Sequence, residues 1–386
     1  MAADLRLPSG IVEKILALLP DKTIHRFRLL SKSCSSLLVS VNFHKFRLKS
    51  TPPEINVPKL LCPPDQENDG FVISDYRDGA KTPTKVCYPT PPHELSAARS
   101  YPSRIGSCNG LVCLVFKRER EIVVWNPFTG TYRKLPDISC GDWFYTYGFG
   151  YDSASDDYKV FIATGPSPFP NRRDGVRIDI FSLKTGSCHQ VENPDFTTYL
   201  QCIGPGCMGL FLNGALHWES SRGYGFSGDK KILAFDLSEE KFYEVPKPTP
   251  VEDYRYQRLG VVGEYLCMCF SSPRIWDKNI VWVMKEYCNE ASWVHFISYS
   301  SIEDDDDAVN SVDYASDLVQ RDGGYMILQF SEGYVDVLKW IKNREENDTS
   351  EEYFKNIKFY RHSGAATSYT EALTSPYAST GIDQEF

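Results

Sequence analysis

Leu7-Pro8 opens a stretch in which Ile11, Val12, Ile15, Leu16 and Leu19 recur at helical spacing, with Ser9 near its start as a cap and Pro20 at its end. A second helical pattern runs through Ile24, Phe27, Leu30 and Leu37-Leu38, and no strand pattern appears between Leu5 and Leu48. Two or three short helices bury too little surface to be stable alone. Residues 1–48 therefore need a partner, or the next domain, to cover their apolar face. Residues 49–69 change texture: Pro52-Pro53, Pro58 and Pro63-Pro64 among charged residues read as a linker or an ordered strap.

From residue 70 onward one pattern repeats: an apolar strand, a tight polar turn, then a strand ending in an aromatic and often a Pro. The clearest copies run from Ile122 to Pro136, Ile178 to Val191, Ile232 to Pro246 and Ile280 to Phe296. Their aromatic markers Trp125, Phe181, Phe235 and Trp282 lie 56, 54 and 47 positions apart. That period suits a four-stranded propeller blade of roughly 50 residues. Two further strands precede each copy, turning at Asn109-Gly110, Ser153–Asp157 and Asn213-Gly214; Asn-Gly favours a hairpin because both residues tolerate positive φ. Weaker copies at Phe71–Tyr88 and Tyr325–Tyr360 raise the number to six, and a last strand at Tyr369–Ser375 is expected to complete the first blade and close the ring. The predicted fold class is mainly β with an N-terminal α-helical module: helices over 1–48, a linker over 49–69 and a six-bladed propeller over 70–386.

Composition agrees with a β-rich bulk. Aromatics reach 13%, beside 26 Gly and 24 Pro, a mixture that favours pleated strands joined by turns. The net charge of −9 repels phosphate backbones and anionic lipid, so neither nucleic acid nor a membrane is the expected partner. Asp4, Arg6, Glu13 and Lys14 interrupt any apolar core for a signal peptide, and no stretch approaches the roughly 20 apolar residues of a membrane helix. The expected location is the cytoplasm or nucleus. The 12 Cys sit mostly in apolar strand-like runs, such as Cys113, Cys267 and Cys269, and read as reduced and structural.

Leu7-Pro8, Ile15-Leu16, Leu19-Pro20, Lys22, Arg26-Phe27-Arg28, Ser31-Lys32, Leu37-Leu38 and Asn42-Phe43 follow the order of an F-box without gaps. Cys108–Cys113, Trp125-Asn126-Pro127, Tyr147–Asp152, Asp157–Val160, Asn213–Trp218, Val281–Tyr287 and Tyr369–Pro376 resemble the F-box-associated domain of plant F-box/kelch-like proteins. The family's usual acidic residue after Leu-Pro falls here on Gly10, and its common Trp on Cys34. The resemblance implies that the N-terminal module docks on a Skp-type adaptor, and through it on cullin and RING subunits, while the C-terminal domain captures an unknown protein substrate. By position it gives Leu7, Pro8, Ile11, Ile15, Leu16, Leu19, Pro20, Phe27 and Leu30 as the adaptor-facing or module-stabilising surface. No catalysis is implied for this chain.

Strand alternation sends the short connections to one face of the ring and the longer ones, such as Pro136–Thr146, Gly165–Gly175 and Thr249–Gln257, to the other. The long-loop face carries Trp143, Phe144, Tyr145, Phe169, Arg172, Arg173, Tyr224, Tyr254, Tyr256 and Trp276, and aromatic and Arg side chains are the usual anchors of protein interfaces. These are the expected substrate-binding residues. The acidic run Glu303–Asp307 reads as a solvated loop and lacks calcium-loop spacing. Cys202–Cys207 and Cys267–Cys269 lack zinc spacing, and no nucleophile elbow, phosphate loop or metal-binding helix is visible. No metal or cofactor is expected. A propeller enzyme with a polar central pocket, or a scaffold whose F-box-like helices bind no ligase, stand as alternatives.

Overall fold

The computed structural model describes residues 9–19, 21–28, 30–31, 34, 37–38, 43, 46, 59–62, 71–74, 84–86, 104–116, 120–136, 143–166, 176–192, 207–222, 229–248, 256–271, 278–300, 325–330, 335–344, 350–360, 367–370, 372 and 374–377. Two short helices, α1 (Ser9–Ala17) and α2 (Asp21–Arg28), precede a chain built of strands. The first strands are β1 (Lys59–Cys62), β2 (Phe71–Ser74), β3 (Thr84–Val86), β4 (Arg104–Cys108), β5 (Leu111–Phe116), β6 (Glu121–Trp125) and β7 (Tyr132–Lys134). Next come β8 (Trp143–Asp152), β9 (Asp157–Gly165), β10 (Arg177–Ser182), β11 (Cys188–Val191), β12 (Cys207–Leu212), β13 (Ala215–Arg222), β14 (Asp229–Asp236) and β15 (Lys241–Val245). The rest are β16 (Tyr256–Val262), β17 (Tyr265–Ser271), β18 (Lys278–Met284), β19 (Trp293–Ser300), β20 (Tyr325–Phe330), β21 (Val335–Arg344), β22 (Ser350–Tyr360) and β23 (Thr367–Tyr369).

Successive strands pair as antiparallel meanders. β4 to β7 form one sheet in sequence order; β8 to β11 and β12 to β15 form two more, joined where β12 runs parallel to β8. β16 to β19 and β20 to β22 follow, joined where β16 pairs with β20. The aromatic markers Trp125, Phe181, Phe235 and Trp282 fall on β6, β10, β14 and β18, the third strand of each four-stranded unit. Asn109 (φ 49°) with Gly110 (φ 80°), and Asn213 (φ 51°) with Gly214 (φ 79°), make the β4–β5 and β12–β13 turns, so both residues of each pair take the positive φ of a tight hairpin.

Closure differs in detail from the expected pattern. The first sheet has the order β23-β1-β2-β3, and β23 pairs antiparallel with β1 through Lys59–Tyr369, Leu60–Ser368 and Leu61–Thr367. β1 lies inside the segment read as a linker: Leu60 and Leu61 are both fully buried, and Leu61 packs with Phe71, Trp125 and Tyr369. The closing ladder is thus Thr367–Tyr369, while Ala372 and Thr374–Tyr377 continue outside any described strand.

The core lies between neighbouring sheets. One cluster combines Cys113 and Val124 with Tyr147, Tyr158 and Ile162; the next combines Phe161 and Ile180 with Trp218 and Phe235; a third combines Leu212 and Ala234 with Leu266 and Met268. β9 serves two of them at once, its even positions Tyr158, Val160 and Ile162 facing one way and Phe161 and Ala163 the other. It is buried at every position, which explains the apolar run Val160-Phe161-Ile162-Ala163 at its centre. Such close stacking requires Gly209 on β12, where an added Cβ would lie 2.6 Å from the buried Trp218 ring. Gly209→Ala should lower stability by about 1–3 kcal/mol through overpacking, measured as a drop in the denaturation midpoint; an unchanged midpoint would mean that the indole has room to move.

Candidate functional site

α1 and α2 pack around Leu16, Ala17, Ile24, Leu38 and Phe43, with Leu19 and Phe27 half-buried against them. Among the described residues four large apolar side chains of the module stay outside that core: Ile11 is 46% exposed, Ile15 48%, Leu18 52% and Leu30 68%. Ile11, Ile15 and Leu18 are spaced i, i+4, i+7 and form one stripe along α1 and its end. Of the nine positions named from the sequence, Ile11, Ile15 and Leu30 therefore face outward, Leu16 holds the module together from inside, and Leu7, Pro8 and Pro20 lie outside the described residues. Leu18 was missed, although continuing the Ile11–Ile15 spacing by three positions reaches it.

The module also touches the strand domain. Phe128, in the β6–β7 turn, packs against the module's core. That turn belongs to the short-turn end of the sheets, with Asn109-Gly110, residues 153–156, Asn213-Gly214 and residues 237–240. The long connections leave from the opposite ends of the same strands.

At that opposite end the sequence reading needs one correction. Tyr145 is only 1% exposed, packs in the core with Phe161 and Trp218, and donates its hydroxyl to the Pro166 carbonyl at 2.6 Å. It anchors the start of the following loop instead of presenting a surface. The β8–β9 register shifts between Phe144 and Thr146, and a bulge of this kind re-aims the side chain at that point. Phe144 is half-buried, its ring 5.4 Å from that of Tyr147. Trp143 and Tyr256 are in strands β8 and β16. Phe169, Arg172, Arg173, Tyr224, Tyr254 and Trp276 lie outside the described residues, as does the acidic run Glu303–Asp307.

The short-turn end holds a charged network. Lys159 Nζ reaches Asp152 at 3.1 Å, Glu240 at 3.0 Å and the Leu237 carbonyl at 2.6 Å, and Glu240 also meets His189 Nε2 at 2.7 Å. Burial pushes the Asp152 carboxyl up, but hydrogen bonds from Ser155 and Lys159 outweigh it and hold it below its ordinary value. This network ties β8–β9 to the β14–β15 turn. It is structural in geometry, with every charge answered. Among the described residues no group of three or more His, Cys, Asp or Glu is placed to hold a metal ion, and no helix is long and apolar enough to cross a membrane.

Residues 5–46 match the F-box domain family, and residues 82–370 match the family described as the F-box associated beta propeller domain. The chain belongs to the plant F-box proteins with this associated domain. It is 26% identical to an F-box/kelch-repeat protein of Arabidopsis thaliana, over 85% of this chain and 86% of that one. It is 30% identical to the F-box protein CPR1 of Arabidopsis thaliana, over 74% of this chain and 71% of that one.

His217, the most conspicuous titratable group in the F-box protein's strand domain, is fully buried on β13. Its Nδ1 bonds the Leu210 carbonyl at 3.1 Å, so Nε2 accepts from the Tyr287 hydroxyl at 2.5 Å, and Tyr287 in turn meets the Tyr243 hydroxyl at 2.6 Å. Burial holds the imidazole down to about 4 and so keeps it neutral. Burial likewise pushes the Cys113 thiol up to about 12 and raises those of Cys108 and Cys267 well above their ordinary value, which leaves these cysteines inert. Since the folded His217 takes up its proton only near pH 4, against 6.5 when unfolded, stability present above pH 6.5 is lost as pH falls toward 4. The loss should reach about 3 kcal/mol, and thermal melts at pH 7 and pH 5 should differ less in His217→Phe than in the parent.

Proposed function

We propose that this chain is the substrate-recognition subunit of a Skp/cullin/F-box ubiquitin ligase, with a six-bladed kelch-like propeller as its receptor domain. The observation that carries this reading is the half-exposed stripe of Ile11, Ile15 and Leu18, together with exposed Leu30, in a module that matches the F-box. Covering four such side chains is worth about 1 kcal/mol each at their remaining exposure, enough to seat an adaptor helix against them. The chain itself supplies no chemistry. Holding a substrate beside the ubiquitin-carrying enzyme raises its effective concentration, and the reacting groups belong to other subunits.

The two ends of the propeller divide the work. The module packs at Phe128 on the short-turn end, and the long connections meet the far ends of strands such as β8, β9, β10 and β16, six to ten residues long, on the order of 20–30 Å away. Substrate bound there would be held clear of the adaptor. A site of action in the cytoplasm or nucleus follows from the same reading, as ubiquitin ligases of this class work there.

A purified Skp-type adaptor should be retained by the intact chain and not by one lacking residues 1–48. Ile15→Asp should abolish that binding with no change in melting temperature, whereas Leu16→Asp, at a buried position, should lower binding only by unfolding the module. Retained binding in Ile15→Asp would sink the assigned stripe. On the other face, replacing residues 167–175 with a Gly-Ser segment of equal length should weaken substrate capture from plant extract at unchanged adaptor binding; an unaffected substrate set would move the receptor site to other loops.

A further inference from the structure

Asn126, which follows β6 and is fully buried, uses both ends of its side chain. Its Oδ1 accepts the backbone N–H of Phe128 at 2.9 Å and of Thr129 at 3.2 Å, and so shapes the β6–β7 turn. Its Nδ2 donates to the Ala372 carbonyl at 2.8 Å and to the Thr374 carbonyl at 2.6 Å, some 250 positions away in sequence. The segment it grips lies directly on the β4–β5 turn, since a Cβ added at Gly110 would come within 2.3 Å of Ala372 Cβ. Farther along, the Tyr377 hydroxyl donates to the Tyr132 carbonyl at 2.9 Å. Its ring lies 5.5 Å from the Arg133 guanidinium, which faces Phe181 at 5.7 Å and donates to the Leu183 carbonyl at 2.6 Å. Ala372 and residues 374–377 thus form a strap that runs from β23 over the β4–β7 sheet, fastened beside the turn that carries Phe128 onto the helical module.

We propose that Asn126 couples closure of the ring to seating of the F-box module, so that the module is locked in place only when the C-terminal strap is docked. A carboxamide is planar, with its two donor hydrogens opposite its one oxygen. The strap's two carbonyls fix which way Nδ2 points, and that orientation aims Oδ1 at the turn. Without the strap a buried NH2 group loses both acceptors, and the amide rotates or takes up water to satisfy it. The turn then loses the bonds that hold Phe128 against the module. Because residues 374–377 are synthesised after every described strand, the module becomes seated only on a chain whose ring has closed. Coupling of this kind is reciprocal: unseating the module loosens the strap by the same factor.

Hydrogen exchange on the full chain, with no adaptor present, tests this independently of the ligase assignment. Asn126→Asp keeps an oxygen for the Phe128 and Thr129 N–H groups and turns its other oxygen toward the Ala372 and Thr374 carbonyls, which it repels. Exchange should rise about tenfold in residues 367–377 and also in α1 and α2, with β12–β15 unchanged as a check that the propeller stays folded. Phe128→Ala, which leaves all four Asn126 bonds possible, should loosen α1 and α2 and, by reciprocity, residues 372–377. If each substitution loosens only its own segment, the coupling does not exist. Should Asn126→Asp also open β12–β15, Phe128→Ala decides alone, and a strap with unchanged protection in that variant overturns the proposal.

Discussion

Burial on both faces is the constraint from which the strand domain follows. A sheet with one wet face can carry polar side chains at every second position, but β9 has a buried side chain at each one, because its two faces feed different clusters. The same requirement places glycine where inner strands meet the neighbouring sheet, as at Gly148 against Leu216 and Gly209 against Trp218. It also dictates the state of the few polar groups inside. His217 is neutral because an imidazolium in that fully buried position would have only the Leu210 carbonyl and the Tyr287 hydroxyl to answer it.

An interior so fully committed to packing leaves function to the ends of the strands and to whatever is attached there. The short turns are tightly bonded, as in the Lys159–Asp152–Glu240 network, and they receive the helical module at Phe128. The module has too little mass to bury all its own apolar side chains, and three of the four that its described residues leave exposed, Ile11, Ile15 and Leu18, are aligned along one side of α1 and its end. In an F-box protein those two facts belong together: the strand domain carries a small, incompletely buried module at its short-turn end.

Much of this was legible from pattern alone, for identifiable reasons. Asn109-Gly110 and Asn213-Gly214 announced their hairpins because few other pairs take positive φ twice, and Trp125, Phe181 and Phe235 marked the third strands because each is wholly buried between sheets. β1 was lost because its four residues lie between Pro58 and Pro63, and their pairing with β23 is a contact across some 300 positions that no local signal carries. Tyr145 was taken for a surface anchor because alternation in Trp143-Phe144-Tyr145-Thr146-Tyr147 is broken by the register shift at that point. Leu16 and Ile15 are neighbours on one helix, and apolar spacing alone could not say which of them faces the module's core.

The choice of Asn at position 126 is itself informative when set against the other copies of the same turn. Gly130 N–H bonds the Asn126 carbonyl, Gly186 N–H that of Ser182 and Glu240 N–H that of Asp236, so the three turns share one backbone design. Asp236 accepts from the N–H groups of Ser238 and Glu239 at 2.7 and 2.8 Å, and Ser182 accepts from Thr185 at 3.0 Å. An acceptor alone is therefore enough to make the turn, and a carboxylate or a hydroxyl serves as well as an amide. Ser182 also has a donor but spends it within its own sheet, on Asp157, whereas at Asn126 both donors reach the segment after β23, on Ala372 and Thr374. The extra capacity of the amide answers the closing strap and not the turn, which is why Asp at this one position would keep the local fold and lose the long-range connection.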